Sequence, residues 1–229
     1  MTEGKGIAVI VYAHFSLQEV SCLTDALAVW FNRIVEVYAT SKAPVRSEDG
    51  FLILPDKTLE EFEISQYECV LLPGILNPLP ALFDLELIDF LRTLKGSDIL
   101  IGAISSAPML LAKAGLLDDR RYTAGVWEDI NRYLDFIPHH NIDRKPLVRD
   151  GNLITAIGSA FREFAVETIR ALGIDDCEGG LFNPVPQDFT PEEYWMTPED
   201  FEEFKAEYAI FSGEMQYDQT LPGRKPGIP

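Results

Sequence analysis

The sequence predicts an α/β protein with a mainly parallel sheet covered by helices. Three observations predict it. Over the first 173 residues, short β-branched runs alternate with longer segments of helical period. Those runs are apolar almost without interruption, and glycines stand where helical segments end.

The five runs are Ile7–Tyr12, Ile34–Tyr38, Cys69–Leu72, Ile99–Ile104 and Leu153–Ala156. A run that does not alternate with polar residues marks a strand buried on both faces. Helical periodicity fills about 17–31, 80–94, 107–114 and 160–172, and Gly115 and Gly173 occupy C-cap positions. Two stretches break the rhythm. Residues 45–54 read as a hairpin turning at Glu48-Asp49-Gly50, and 118–149 is loop-rich with a helix near 127–134.

A chain of 229 residues, 47% apolar, is long enough for a well-filled core. Its net charge of −18 repels polyanions and anionic membrane surfaces, so neither nucleic acid nor membrane is an expected partner. No apolar run approaches the roughly 20 residues of a membrane span, and the chain opens without the apolar core of a signal peptide. A cytoplasmic location is therefore expected. Cys22, Cys69 and Cys177 are odd in number and widely spaced, which reads as free thiols rather than a disulfide framework or metal site.

After Gly173 the texture changes, giving expected domains of 1–173 and 174–229. The second part holds 13 acidic and 3 basic residues, a net of −10, which leaves −8 on the first. Thr190-Pro-Glu-Glu and Thr197-Pro-Glu-Asp both place a capping threonine, a first-turn proline and early acids in order, so each starts a helix. In the second, Phe201, Phe204, Tyr208 and Phe211 recur at helical spacing, which predicts an aromatic face that docks.

Ligands of open α/β sheets collect beyond the carboxyl ends of the strands. Three segments leave such ends: Ala13–Glu19, Pro73–Asn77 and Ile104–Pro108. In the third, a strand passes within two residues into a helix with Pro108 in its first turn. That geometry exposes the side chain of Ser105 and aims helix N-terminal amides at it, as in a nucleophile elbow. Amides of Ser106 and of Ile75, after Pro73-Gly74, would then face an oxyanion. The same Ser-Ser-Ala-Pro cluster is also an ordinary turn signal.

Four blocks of the chain resemble the ThiJ/PfpI (DJ-one) superfamily, which has a class I glutamine amidotransferase-like, flavodoxin-like fold. They are Gly6–Glu19, Glu68–Gly74, Gly102–Leu117 and Asp150–Ala156, and together they carry the resemblance over about 6–173. It implies a three-layer α/β/α sandwich, a homodimer, and a reactive cysteine at the elbow touched by a glutamate from the loop after the first strand. Glu19 matches that glutamate. Ser105 stands where the resemblance implies cysteine, and serine needs a base to act as a nucleophile because its hydroxyl is far less acidic than a thiol. Serine also cannot enter the sulfenic-to-sulfinic oxidation series. The two positions where such proteins carry histidine hold Ser106 and, in 122–127, no histidine.

His14 leaves the first strand five residues before Glu19 and is the remaining candidate base; it also reads as a plain loop histidine. His139-His140 lack the acidic or thiol neighbours of a zinc site and read as a solvated loop. Glu19 has its own structural reading as an acid favoured by a helix N-terminus. No phosphate-binding glycine motif is present, so neither a cofactor nor a metal is expected. Two functions follow. One is a hydrolase or amidase of peptidase-like type acting on a small molecule or peptide, with Ser105 as nucleophile, Glu19 as proton acceptor or orienter, His14 as candidate base, and Gly74, Ile75 and Ser106 lining the oxyanion site. The other is a homo-oligomeric protein that binds a small molecule or responds to stress without turnover.

Overall fold

The computed structural model describes residues 5–174 and 196–212. The chain divides into two compact units, residues 1–182 and 183–229. In the first unit, seven strands form one sheet in the order β5-β2-β1-β6-β7-β9-β8. Its centre is β1 (Gly6–Ile10), β6 (Tyr67–Leu72), β7 (Leu100–Ile104) and β9 (Leu153–Ala156), flanked by β2 (Val35–Ala39), the short β5 (Lys57–Thr58) and β8 (Leu147–Asp150). Every pairing in it is parallel except β8 with β9. Strand residues such as Ile7, Ile10, Leu71, Ile104 and Ile154 are fully enclosed, as their unbroken apolar runs require.

Helices supply the two outer layers. α1 (Gln18–Asp25), extended by a π-helical turn over Ala26–Trp30, packs with α6 (Phe161–Ala171). α2 (Leu79–Leu82), α3 (Leu85–Thr93) and α4 (Pro108–Lys113) pack with one another. Gly102 lets α6 approach the sheet closely. A Cβ there would lie 2.8 Å from the Phe164 ring and 2.9 Å from Leu71.

The expected hairpin is present as β3 (Val45–Arg46) paired antiparallel with β4 (Leu52–Ile53). The single helix expected over 80–94 is two. Asp84 adopts an extended backbone and accepts a hydrogen bond from the Leu87 N–H at 3.2 Å, which stops α2 and caps α3. Within the loop-rich stretch, α5 (Glu128–Tyr133) fulfils the expected helix, whereas β8 forms where the sequence reads as loop. Its four residues carry only two apolar side chains, an edge-strand pattern too short to register as a period.

In the second unit, α7 (Pro198–Phe211) begins as its capping sequence predicts, with the Thr197 hydroxyl accepting from the Asp200 N–H at 3.1 Å. Phe201 stacks on Phe204, which meets Tyr208 in turn. Phe201, Phe204, Tyr208 and Phe211 expose 49–76% of their area. The other expected helix start, at Thr190, and Cys177 lie outside the described residues. Among the described residues, no helix is long and apolar enough to cross a membrane.

Strand order reverses between β1 and β6, because the chain first builds outward to β2 and then returns to the other side of β1. The loops leaving β1, β6 and β7 therefore meet at the switch point where such sheets form their crevices.

Candidate functional site

Ser105 directly follows β7 with φ +61°, in the left-handed region that a non-glycine residue occupies at a cost of about 1–2 kcal/mol. Two neighbouring elements hold it there. The Ser105 N–H donates to the Ala156 carbonyl at 2.8 Å, and its own carbonyl accepts from the Gly125 N–H at 2.7 Å. Pro108 then opens α4 at once, so the hydroxyl stands at an abrupt strand-to-helix turn and is half-buried.

Glu19 reaches this turn from the first turn of α1. Its carboxyl lies beside the Ser105 side chain, and its Oε2 accepts from the Gly74 N–H at 2.7 Å. Burial pushes the carboxyl above the ordinary carboxylate range. The Gly74 bond and the neighbouring Ser105 hydroxyl pull it down, and the negative charges of Glu48 and Asp49 push it up again. The net direction is up, which makes Glu19 a stronger base than a solvated carboxylate.

Three glycines make the approach possible. A Cβ on Gly74 would fall 2.3 Å from Ser105 Cβ and 2.4 Å from Glu19 Oε2. One on Gly158 would fall 2.5 Å from Glu19 Oε1 and 3.1 Å from Ser105 Oγ, and one on Gly125 would fall 3.2 Å from Ser105 Cα. The Ser105–Glu19 pair thus sits in a cradle that any larger residue at 74 or 158 would fill.

The expected oxyanion donors are differently engaged. The Ile75 N–H, expected to face the site, donates to Ser106 Oγ at 2.9 Å, and the Gly74 N–H is held by Glu19. Of the three, only the Ser106 N–H has no acceptor among the described residues.

The β3–β4 hairpin forms one wall. Glu48 donates its N–H to the Phe15 carbonyl at 2.9 Å and accepts from the Leu76 N–H at 2.9 Å. Asp49 accepts from the Leu17 N–H at 2.7 Å, satisfying the start of α1. From sequence these two carboxylates read only as turn residues.

The histidines stand apart from this arrangement. His14 lies in a left-handed turn with φ +62°, is exposed, and anchors through its backbone N–H to the Arg46 carbonyl at 2.7 Å. The groups acting on Glu19 do not include it. His139 and His140 occupy an exposed single turn, and His139 acts on Glu128 of α5. No group of three His, Cys, Asp or Glu side chains among the described residues could hold a metal ion. Cys22 is half-buried on α1 and Cys69 is fully buried in β6; burial pushes both thiols up.

Sequence reasoning did not single out Tyr12, Gly125 or Gly158. Gly158, just past the end of β9, carries the one signal that was available: a glycine directly after an apolar run marks a close backbone approach.

A family model described as the DJ-1/PfpI family matches residues 5–171. Protein dj-1beta of Drosophila melanogaster is 34% identical over 125 residues, covering 52% of this chain and 64% of that protein. The isonitrile hydratase of Pseudomonas putida is 31% identical over 138 residues, covering 59% of this chain and 58% of that one. The aligned parts thus span between about half and two thirds of these curated relatives. Among solved structures, the DJ-1 superfamily protein Atu0886 from Agrobacterium tumefaciens superposes with a TM-score of 0.67 at 23% identity. The match covers 90% of this chain and 100% of that one.

Proposed function

This chain belongs to the DJ-1/PfpI family, and from that premise we propose that it is a hydrolase or amidase acting on a small acyl substrate or short peptide, with Ser105 as nucleophile. One observation carries the reading: a serine held in a strained elbow has its hydroxyl against a carboxyl whose basicity is raised by burial. In the first step Ser105 Oγ bonds to the substrate carbonyl carbon while its proton passes to Glu19. The protonated carboxyl then returns that proton to the departing amine or alcohol, leaving an acyl-serine that water cleaves by the reverse path. The Ser106 N–H, at the mouth of α4, is the donor offered to the developing oxyanion. The relative named isonitrile hydratase supports water addition at an electrophilic carbon as chemistry suited to this fold.

Turnover of a panel of activated esters and amides tests the reading. Wild type should show a burst of released alcohol or amine, and Ser105→Ala should abolish both burst and steady turnover. Equal turnover by the two proteins would overturn it.

A second reading, ligand binding without turnover, is favoured by one feature: the Ile75 N–H is spent on Ser106 rather than open to a ligand oxyanion. A small molecule that binds with unchanged affinity to Ser105→Ala, combined with an inert Ser105, would support it.

We also propose that the protein works in the cytoplasm as a homodimer. Phe51, Leu52 and Leu54 of the hairpin expose 58–68% of their area and offer an apolar surface to a second copy. Sedimentation of wild type against Phe51→Ser/Leu54→Ser tests the assembly, with a shift toward monomer expected in the variant.

A further inference from the structure

Tyr12, two residues past the end of β1, is joined to Glu19 through a single peptide group. Tyr12 is almost fully buried, and its hydroxyl donates to the carbonyl of Pro73. That carbonyl belongs to the same peptide plane as the Gly74 N–H, which donates to Glu19 Oε2 at 2.7 Å. The phenol therefore grips one end of a planar amide whose other end grips the carboxyl.

We infer that Tyr12 is a positioning residue for Glu19: by holding the Pro73–Gly74 peptide it sets both the direction and the strength of the hydrogen bond that Gly74 gives to the carboxyl. The inference rests on the proposed role of Glu19 for its consequence in catalysis, but not for the linkage itself. Two effects contribute. Peptide planarity couples the ends mechanically, because rotating the carbonyl away from Tyr12 must swing the N–H away from Glu19. Accepting a hydrogen bond at the carbonyl also polarises the amide, so its N–H becomes a stronger donor.

The peptide has few other restraints. On its far side the Gly74 carbonyl accepts from the Ser16 N–H at 2.8 Å, but that bond belongs to the following peptide plane. Gly74 itself has no side chain to pack, and the cradle excludes one. The tyrosine hydroxyl is thus the side-chain contact that fixes this plane against rotation. Removing it leaves a carbonyl unpaired in a buried place, which the peptide can relieve only by turning.

The groups that face Glu19 are Tyr12 from the end of β1, Ser105 from the elbow, and Glu48 and Asp49 from the hairpin. Tyr12 is pushed well above the ordinary phenol range by burial and by the Glu19 charge, so it stays protonated and remains a donor throughout the titration of the carboxyl. Its own charge does not enter. Any effect of Tyr12 on Glu19 is then transmitted by the peptide.

The test is the titration of the Glu19 carboxyl carbon in protein labelled with ¹³C-glutamate, the signal assigned by its loss in Glu19→Gln. Tyr12→Phe should move the midpoint to higher pH, because a weakened N–H bond stabilises the ionised form less. Difluorotyrosine incorporated at position 12, a stronger donor in the same place, should move it to lower pH. Tyr67→Phe removes a buried phenol hydroxyl bonded to Tyr38 and Glu36 at the start of β6, the other end of the strand. It should lower stability and leave the Glu19 midpoint in place. Covalent labelling of Ser105, where it occurs, should slow by up to about 10²-fold in Tyr12→Phe near neutral pH, the scale of a misplaced catalytic group.

If the midpoint is the same in wild type, Tyr12→Phe and the fluorinated protein, Tyr12 is only a core residue and the inference fails. If Tyr12→Phe does not fold, the fluorinated protein alone decides. A midpoint that moves as expected in a protein whose Ser105 never reacts would uphold the linkage while overturning the proposed hydrolase.

Discussion

The hydroxyl of Ser106 closes a two-bond ring with the backbone of Ile75, accepting from its N–H at 2.9 Å and donating to its carbonyl at 2.6 Å. The bond engages the Ile75 amide, one of the donors expected at the oxyanion site. Ser106→Ala should release it. One added oxyanion donor is worth roughly 10²–10³ in rate where geometry is ideal, so even partial alignment should accelerate Ser105 acylation by about tenfold or more. Stability should drop by about 1–3 kcal/mol, because two buried backbone groups lose a partner. Stopped-flow acylation with an activated ester checks the rate and urea unfolding checks the cost; an unchanged acylation rate would remove Ile75 from the oxyanion site.

The glycine cradle makes a positional prediction. Gly158→Ala puts a methyl group 2.5 Å from Glu19 Oε1, so the carboxyl must leave Ser105. Gly74→Ala is worse, with 2.3 Å to Ser105 Cβ. Both should lose Ser105 reactivity, at a cost of about 1–3 kcal/mol from overpacking. Gly50→Ala serves as contrast. Nothing lies within 4 Å of its added Cβ, but its φ of +94° is strained for alanine, so it should lose stability while reactivity persists.

The raised Glu19 titration fixes the sign of a pH effect. A carboxyl whose folded pKa exceeds the unfolded value of 4.5 binds more protons in the folded state within that interval, so its contribution to stability falls as pH rises through it. Below the unfolded value the penalty is absent, and above the folded value it is fully present. Urea unfolding of wild type and Glu19→Gln from pH 4 upward should therefore show wild type losing ground to the variant as pH rises. A difference that is flat with pH, or grows in favour of wild type, would mean that the Glu19 carboxylate is not penalised by burial.

Replacing the elbow hydroxyl by a thiol tests how far the cradle itself activates a nucleophile. Ser105→Cys should alkylate with iodoacetamide at residue 105 well before Cys22 or Cys69, whose thiols are pushed up by burial. Peptide mapping of a time course reads the order. Reaction at Cys22 before residue 105 would show that the elbow is closed to small electrophiles.

The sheet and its helices were legible because each central strand is an apolar run bounded by turn residues, a pattern only a doubly covered sheet satisfies. Ser105 was legible for a related reason, since it follows the carboxyl end of one such run, whereas Glu19 was legible through the family resemblance, which implies a glutamate from the loop after the first strand against the elbow. What was not legible depends on distance across the chain. The Tyr12 hydroxyl finds a carbonyl 61 residues away, and the purpose of Gly158 appears only when Glu19 Oε1 is seen against it. His14 is near Glu19 in the chain, but spacing does not say where its side chain lies; the structure has it exposed and not among the groups acting on the carboxyl. Helix α3 was hidden within a longer periodic segment because Asp84 reads as a polar helix position until its cap is seen. The aromatic face of α7 followed from its spacing, but periodicity carries no information about what such a face meets.

In the proposed mechanism Ser105 and Glu19 act as one nucleophilic unit. The most direct measurement is the rate at which a fluorophosphonate labels Ser105, located by peptide mapping, in wild type and in Glu19→Gln at matched pH. Labelling of Ser105 in wild type, slowed by about 10²-fold or more in Glu19→Gln, is the predicted result for loss of a general base. An unlabelled Ser105, or equal rates in the two proteins, would contradict it.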